Sequence, residues 1–152
     1  MTRRRRFLAG ALGIMLVAPL TAWAHKCDLS VSPLDFGSYD TETSAPLDVA
    51  GSIGVSCRGN ISTVLLRLSP GSSGDAMNRQ MVSTNGVLGY NLFTNPNRTR
   101  VWGDGSGGTD LVARVGGRGR NDWDISVYGR IFARQDPWPG FYADNIVITV
   151  TF

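Results

Sequence analysis

From residue 27 onward, apolar side chains fall at every second position in a series of short runs. Cys27, Leu29 and Val31 share one face, as do Ile53, Val55 and Cys57. The pattern repeats at Val64, Leu66 and Leu68, at Leu88, Tyr90 and Leu92, and at Ile125, Val127 and Ile131, with Gly129 between the last two. The final run is Ile146, Ile148, Val150 and Phe152. A period of two is that of a strand with one buried face. No stretch of ten or more residues carries a helical stripe with caps. Turn-formers punctuate the runs: Pro70 to Gly74, Asn95-Pro96-Asn97, Gly103 to Gly108, Gly116 to Gly119, and Pro137-Trp138-Pro139-Gly140. Asp40 to Ala50, polar and containing Pro46, reads as a loop between the first two strands. Nineteen glycines fit many tight turns and no helices. The expectation is an all-β fold, a β-sandwich of short strands.

The first 24 residues follow another pattern. Arg3 to Arg6 are a positive cluster, Phe7 to Leu20 an apolar run of 14 residues, and Ala22-Trp23-Ala24 a small-x-small ending. That is the layout of an export leader, residues 1–24, cleaved between Ala24 and His25. The apolar run is short for a membrane span, which needs about 20 residues. Arg4-Arg5-Arg6-Phe7-Leu8 also fits a twin-arginine pattern loosely. A disulfide protein has no need to fold before export, so the general secretory route is preferred.

Removing the leader leaves a 25–152 domain of 128 residues (152 less 24), enough for one core. It also removes four arginines, so Lys+Arg falls from 15 to 11 against 12 Asp+Glu, a net charge near −1. The clustered positive charge that nucleic-acid binding requires is then missing. The two cysteines, Cys27 and Cys57, lie on the inward parity of two early strands. In an oxidising compartment they are expected to form one disulfide, worth about 3.5–4 kcal/mol in the chain-entropy model.

The remaining chemistry is sparse. Gly103-Asp104-Gly105-Ser106-Gly107-Gly108 spells G-x-G-x-x-G, but no helical pattern follows to hold a phosphate, so it reads as a loop. His25 at a new amino terminus could grip copper, yet it is the sole histidine and a second ligand is wanting. The same fact removes a Ser-His-Asp arrangement. Asp104, Asp110, Asp136 and Asp144 sit near turns, where Asp makes local hydrogen bonds; Asp104 and Asp110 could at most hold a loop calcium. Asn60-Ile61-Ser62 and Asn97-Arg98-Thr99 match the glycosylation triplet. No catalytic residue, cofactor or metal site is expected, and the chain is read as a non-enzyme. Trp138, between two prolines in a turn, is the best candidate for an exposed contact.

Several marks in order resemble one family. Cys27, Phe36-Gly37-Ser38-Tyr39 and Gly51 to Cys57 look like the opening of a spore coat protein U domain. Arg79-Gln80-Met81, Leu88 to Phe93, Trp102 to Gly105, Tyr128 to Ile131 and Gly140 to Asp144 agree with it. The resemblance implies a subunit of an archaic, Csu-type chaperone–usher pilus or of a secreted coat. It implies an immunoglobulin-like sandwich lacking its last strand. A periplasmic chaperone and then a neighbouring pilin subunit would fill the gap by donor-strand complementation, with an outer-membrane usher handling assembly. Ile146, Ile148, Val150 and Phe152 are then expected to form a full strand bordering the acceptor groove. Cleavage after Ala24 would leave only His25 and Lys26 before Cys27, reaching about 7 Å, too short to donate. That favours a terminal, tip position at the cell surface. The alternative is a self-contained secreted β-sandwich whose loops bind a ligand.

Overall fold

The structure, a computed structural model, describes residues 26–152. The leader over 1–24, its cleavage site at Ala24 and His25, and hence the short arm behind the tip expectation, lie outside the described residues. The strands are β1 (Lys26–Val31), β2 (Leu47–Asn60), β3 (Thr63–Leu68), β4 (Gln80–Ser83), β5 (Gly86–Phe93), β6 (Val112–Val115), β7 (Arg118–Ile131) and β8 (Ile148–Thr151). A single 3-10 turn at Gly71–Ser73 is the only helical element among the described residues. One sheet has the order β1-β2-β7-β5-β4 and the other β6-β3-β8, with every pair antiparallel.

The alternation places Ile53, Val55, Cys57, Val64, Leu66, Leu68, Leu88, Tyr90, Leu92, Ile125, Val127 and Ile131 between the sheets, all buried. Cys27 and Cys57 are register partners across β1 and β2 and are joined by a disulfide. This is the all-β sandwich that the period-two pattern predicts.

Some boundaries differ. The loop expected over Asp40 to Ala50 ends at Pro46, because Leu47 to Ser52 already pair with Ile131 to Ser126 of β7. Asp48 holds that end, its carboxylate accepting two bonds of 2.7 Å from Arg130, directly opposite in register. Arg118 and Gly119, read as loop, begin β7. β4 and β6, four residues each, are too short to register as runs.

Candidate functional site

Burial fails on one seam of the sandwich. Leu29 and Val31 have inward parity, opposite Val55 and Ile53, which are 2% and 3% exposed. Leu29 and Val31 themselves are 42% and 51% exposed. The second sheet mirrors this. Val150 and Ile148 pair with the fully buried Leu66 and Leu68 yet are only half-buried. Among the described residues no strand pairs with the outer edge of β1 or of β8. In a constant-type immunoglobulin sandwich the four-stranded sheet faces a three-stranded one, C-F-G. Here β1, β2, β7 and β5–β4 take the A, B, E and D places, and β3 and β8 take C and F. β6 lies on the far side of β3, so the G place beside β8 is unfilled among the described residues. Uncovered apolar side chains between two unpaired backbone edges invite an added strand.

A cavity of about 940 Å³ follows the seam inward. Its floor includes Ile53, Leu92 and Val127. One wall is the segment after β1, Ser32 to Tyr39; the other runs from Pro137 to Ile148. The first wall leaves the sheet at Val31 and crosses its inner face. Phe36 meets the Tyr90 ring edge-on at 6.0 Å between centroids. Tyr39 donates its hydroxyl to the Phe132 carbonyl and accepts from the Gln135 amide, both at 3.0 Å.

The expected terminal strand is shorter than the alternation suggests. Ile146 packs against the core ahead of β8, and Val147 bonds Ser69 through its carbonyl and amide. Ile148 and Val150 lie in β8, and Ile148 borders the cavity. Phe152 follows the last register pair, Leu65 with Thr151, and is 52% exposed, with no described strand on the outer side of β8. Trp138 is exposed at the mouth of the cavity with Phe141, its carbonyl pinned at 2.7 Å by the Tyr142 hydroxyl.

Beside this apolar groove stands a buried polar cluster. Arg79 is 1% exposed and has no carboxylate in contact. Its guanidinium donates to the carbonyls of Ser69, Ala76 and Trp102 and to Oδ1 of Asn91. Asn91 returns its amide to the carbonyls of Ala76 and Met77. Trp102, fully buried, donates Nε1 to the Leu66 carbonyl. Burial lowers the Arg79 pKa, and Tyr90 and Asp144 partly restore it. Burial first, then the hydrogen bond to Asp144, pushes the Tyr90 phenol well above its ordinary value. The cluster ties β5 to the end of β3 and so holds the two sheets in register beside the groove.

The other candidates lie apart from the groove. Asp104 accepts from Ser106 and Thr109 within its own loop, and Asp110 is ion-paired with Arg100, so both carboxylates are engaged in turn structure. The disulfide sits at the opposite end of β1 from Val31. Arg79 and Asn91 were visible in the sequence only as marks of resemblance; an isolated arginine before a strand carries no signal that it is buried.

Comparison with known proteins places the arrangement. The family model described as Spore Coat Protein U domain matches residues 12–149. No curated protein matches the chain. Among solved structures, the CsuC–CsuE chaperone–tip adhesion subunit pre-assembly complex from archaic chaperone–usher Csu pili of Acinetobacter baumannii is similar at TM-score 0.58 and 20% identity. The likeness covers 85% of this chain and 40% of that one, so this chain spans less than half its length. A chaperone–usher pilus structure aligns over 100% of this chain and 98% of its own at TM-score 0.49 and 12% identity.

Proposed function

The chain belongs to the spore coat protein U domain family, and on that premise we propose that it is an exported structural subunit of a surface pilus or coat. It acts by accepting an extended strand from another chain. The single observation that carries this is the seam: inward-facing Leu29 and Val31 lie exposed, and Ile148 and Val150 only half-buried, between two strand edges that no other described strand pairs with. A strand added beside β8 gives the bare backbone its hydrogen bonds and sets alternate side chains into the cavity. Completing the burial of each aliphatic side chain contributes about 1 kcal/mol, half the value for full burial. The partners are a periplasmic chaperone in transit, an outer-membrane usher, and neighbouring subunits. The similar structure noted above is itself a chaperone bound to a subunit. No catalytic step is involved. A self-contained ligand-binding sandwich would cover these four side chains with its own chain.

The test is co-expression with a periplasmic chaperone of archaic chaperone–usher pili. The full chain is expected to co-purify with it in soluble form. Deleting Val150-Thr151-Phe152, which removes half of β8, should abolish capture. Undiminished capture in a pull-down would overturn the reading.

A further inference from the structure

Two glycines on the inner face of the five-stranded sheet have no turn to make. Gly51 lies in β2 and Gly129 in β7, each within a regular ladder, where glycine costs stability. Their φ values are not left-handed, so the backbone does not call for them. The space they leave is filled by the wall of the groove. A Cβ on Gly51 would stand 2.8 Å from Leu34 Cδ1. A Cβ on Gly129 would stand 2.6 Å from Leu34 Cδ2 and 2.7 Å from Phe36 Cζ. Leu34 and Phe36 are thus sunk into a socket made by missing side chains, while the backbone from Ser32 to Phe36 makes no backbone hydrogen bond to another described residue.

Building on the reading of the seam as a strand acceptor, we propose that Gly51 and Gly129 are positioning residues that keep the groove empty. Seated in the socket, Leu34 and Phe36 belong to the wall. Lifted out of it, the same two side chains have one apolar space within reach, the cavity itself, and the segment becomes a plug of its own acceptor. Filling that space from within removes the sites where an entering strand would place its side chains.

Gly51→Ala tests this, with Gly54→Ala as the matched control. Gly54 is in the same strand on the opposite face, and a Cβ there meets nothing nearer than 3.4 Å. Gly51→Ala is expected to lower chaperone capture about tenfold, and Gly54→Ala to leave it unchanged. Adding Leu34→Ala to Gly51→Ala should restore capture, since the clashing methyl is gone. A merely destabilised core would be made worse by that second truncation. A second measurement is independent of any partner: binding of the dye 8-anilinonaphthalene-1-sulfonate to the tagged chain at low micromolar concentration. A plugged groove binds less dye than the unaltered chain, whereas a loosened core binds more. Undiminished capture and dye binding in Gly51→Ala, or a double variant worse than the single one, would overturn the proposal. If the unaltered chain is not captured at all, the acceptor reading fails, and the dye alone decides whether the glycines hold the cavity open.

Discussion

The Arg79 cluster and the seam between β1 and β8 both join the two sheets, and they do so by opposite means. The first is polar, buried and complete: each guanidinium nitrogen of Arg79 has a named oxygen, and no buried side-chain polar atom among the described residues lacks a partner. The second is apolar, half-exposed and unfinished. The difference has a physical logic. A buried charge left short of one donor or acceptor is costly, so its partners must be supplied from within the chain. An apolar rail loses little while it waits in water, and any strand with the right alternation can complete it. The chain is finished where incompleteness would be ruinous and open where it is tolerable.

The comparison can be broken most sharply at Arg79. Arg79→Met leaves the Ser69 and Trp102 carbonyls without their donor and takes one of two donors from the Ala76 carbonyl and from Oδ1 of Asn91. It should cost about 3–4 kcal/mol in the urea unfolding of the disulfide-bonded chain. A loss under about 1 kcal/mol would show that the cluster does not join the sheets as argued. A smaller effect sharpens the contrast across one register pair. Ile53→Ala, on the covered side, should cost about 3 kcal/mol, while Val31→Ser, directly opposite, should cost no more than about 0.5 kcal/mol by the same measurement. The order should reverse in chaperone capture, which Val31→Ser weakens. Equal stability losses would mean that Val31 is already covered in solution.

The smallest effect concerns the acid limit. Asp48 has its pKa lowered by the hydrogen bond to Arg130, with charge from Arg130 and Arg98 adding to it against partial burial. A depressed folded-state pKa means that the unfolded chain binds the proton more readily. The contribution is therefore present above the ordinary carboxylate range near pH 4 and is lost as pH falls through the folded value. Asp48→Asn should flatten the decline in stability below about pH 4 by no more than about 1 kcal/mol, since the pair is partly solvated. An unchanged acid profile would remove Asp48 from the account.

Much of this was legible in the chain. Period-two alternation needs no tertiary knowledge, so the core positions of β2, β3, β5 and β7 could be read directly. The full length of β2 and β7 could not, because the polar, proline-containing stretch up to Ala50 and the glycine-rich Gly116 to Gly119 look like loop, which hides Leu47 to Ala50 and the Arg118-Gly119 start; nor could the place of Gly51 and Gly129, which face Leu34 and Phe36 from another part of the chain. The β4–β5 hairpin did carry a local signal, Asn85-Gly86 before an alternating run, which marks a tight turn. Phe152 shows the converse failure. Its parity is inward, but parity says which way a side chain faces, not whether anything lies there to meet it. The unfilled place beside β8 came from family resemblance, because an absent strand leaves no residues to read.

The disulfide has a mechanical meaning as well. Cys27 stands at the second position of β1, and its partner Cys57 lies within β2, which runs fourteen residues in unbroken register with β7. Tension arriving along the backbone ahead of Cys27 would otherwise unzip β1 one rung at a time. The covalent rung carries that pull across to β2. There the force lies along the strand, and the β2–β7 rungs must shear together rather than yield in turn. A lattice of weak bonds resists best when loaded in shear, and the sulfur bridge turns a peeling load into that kind.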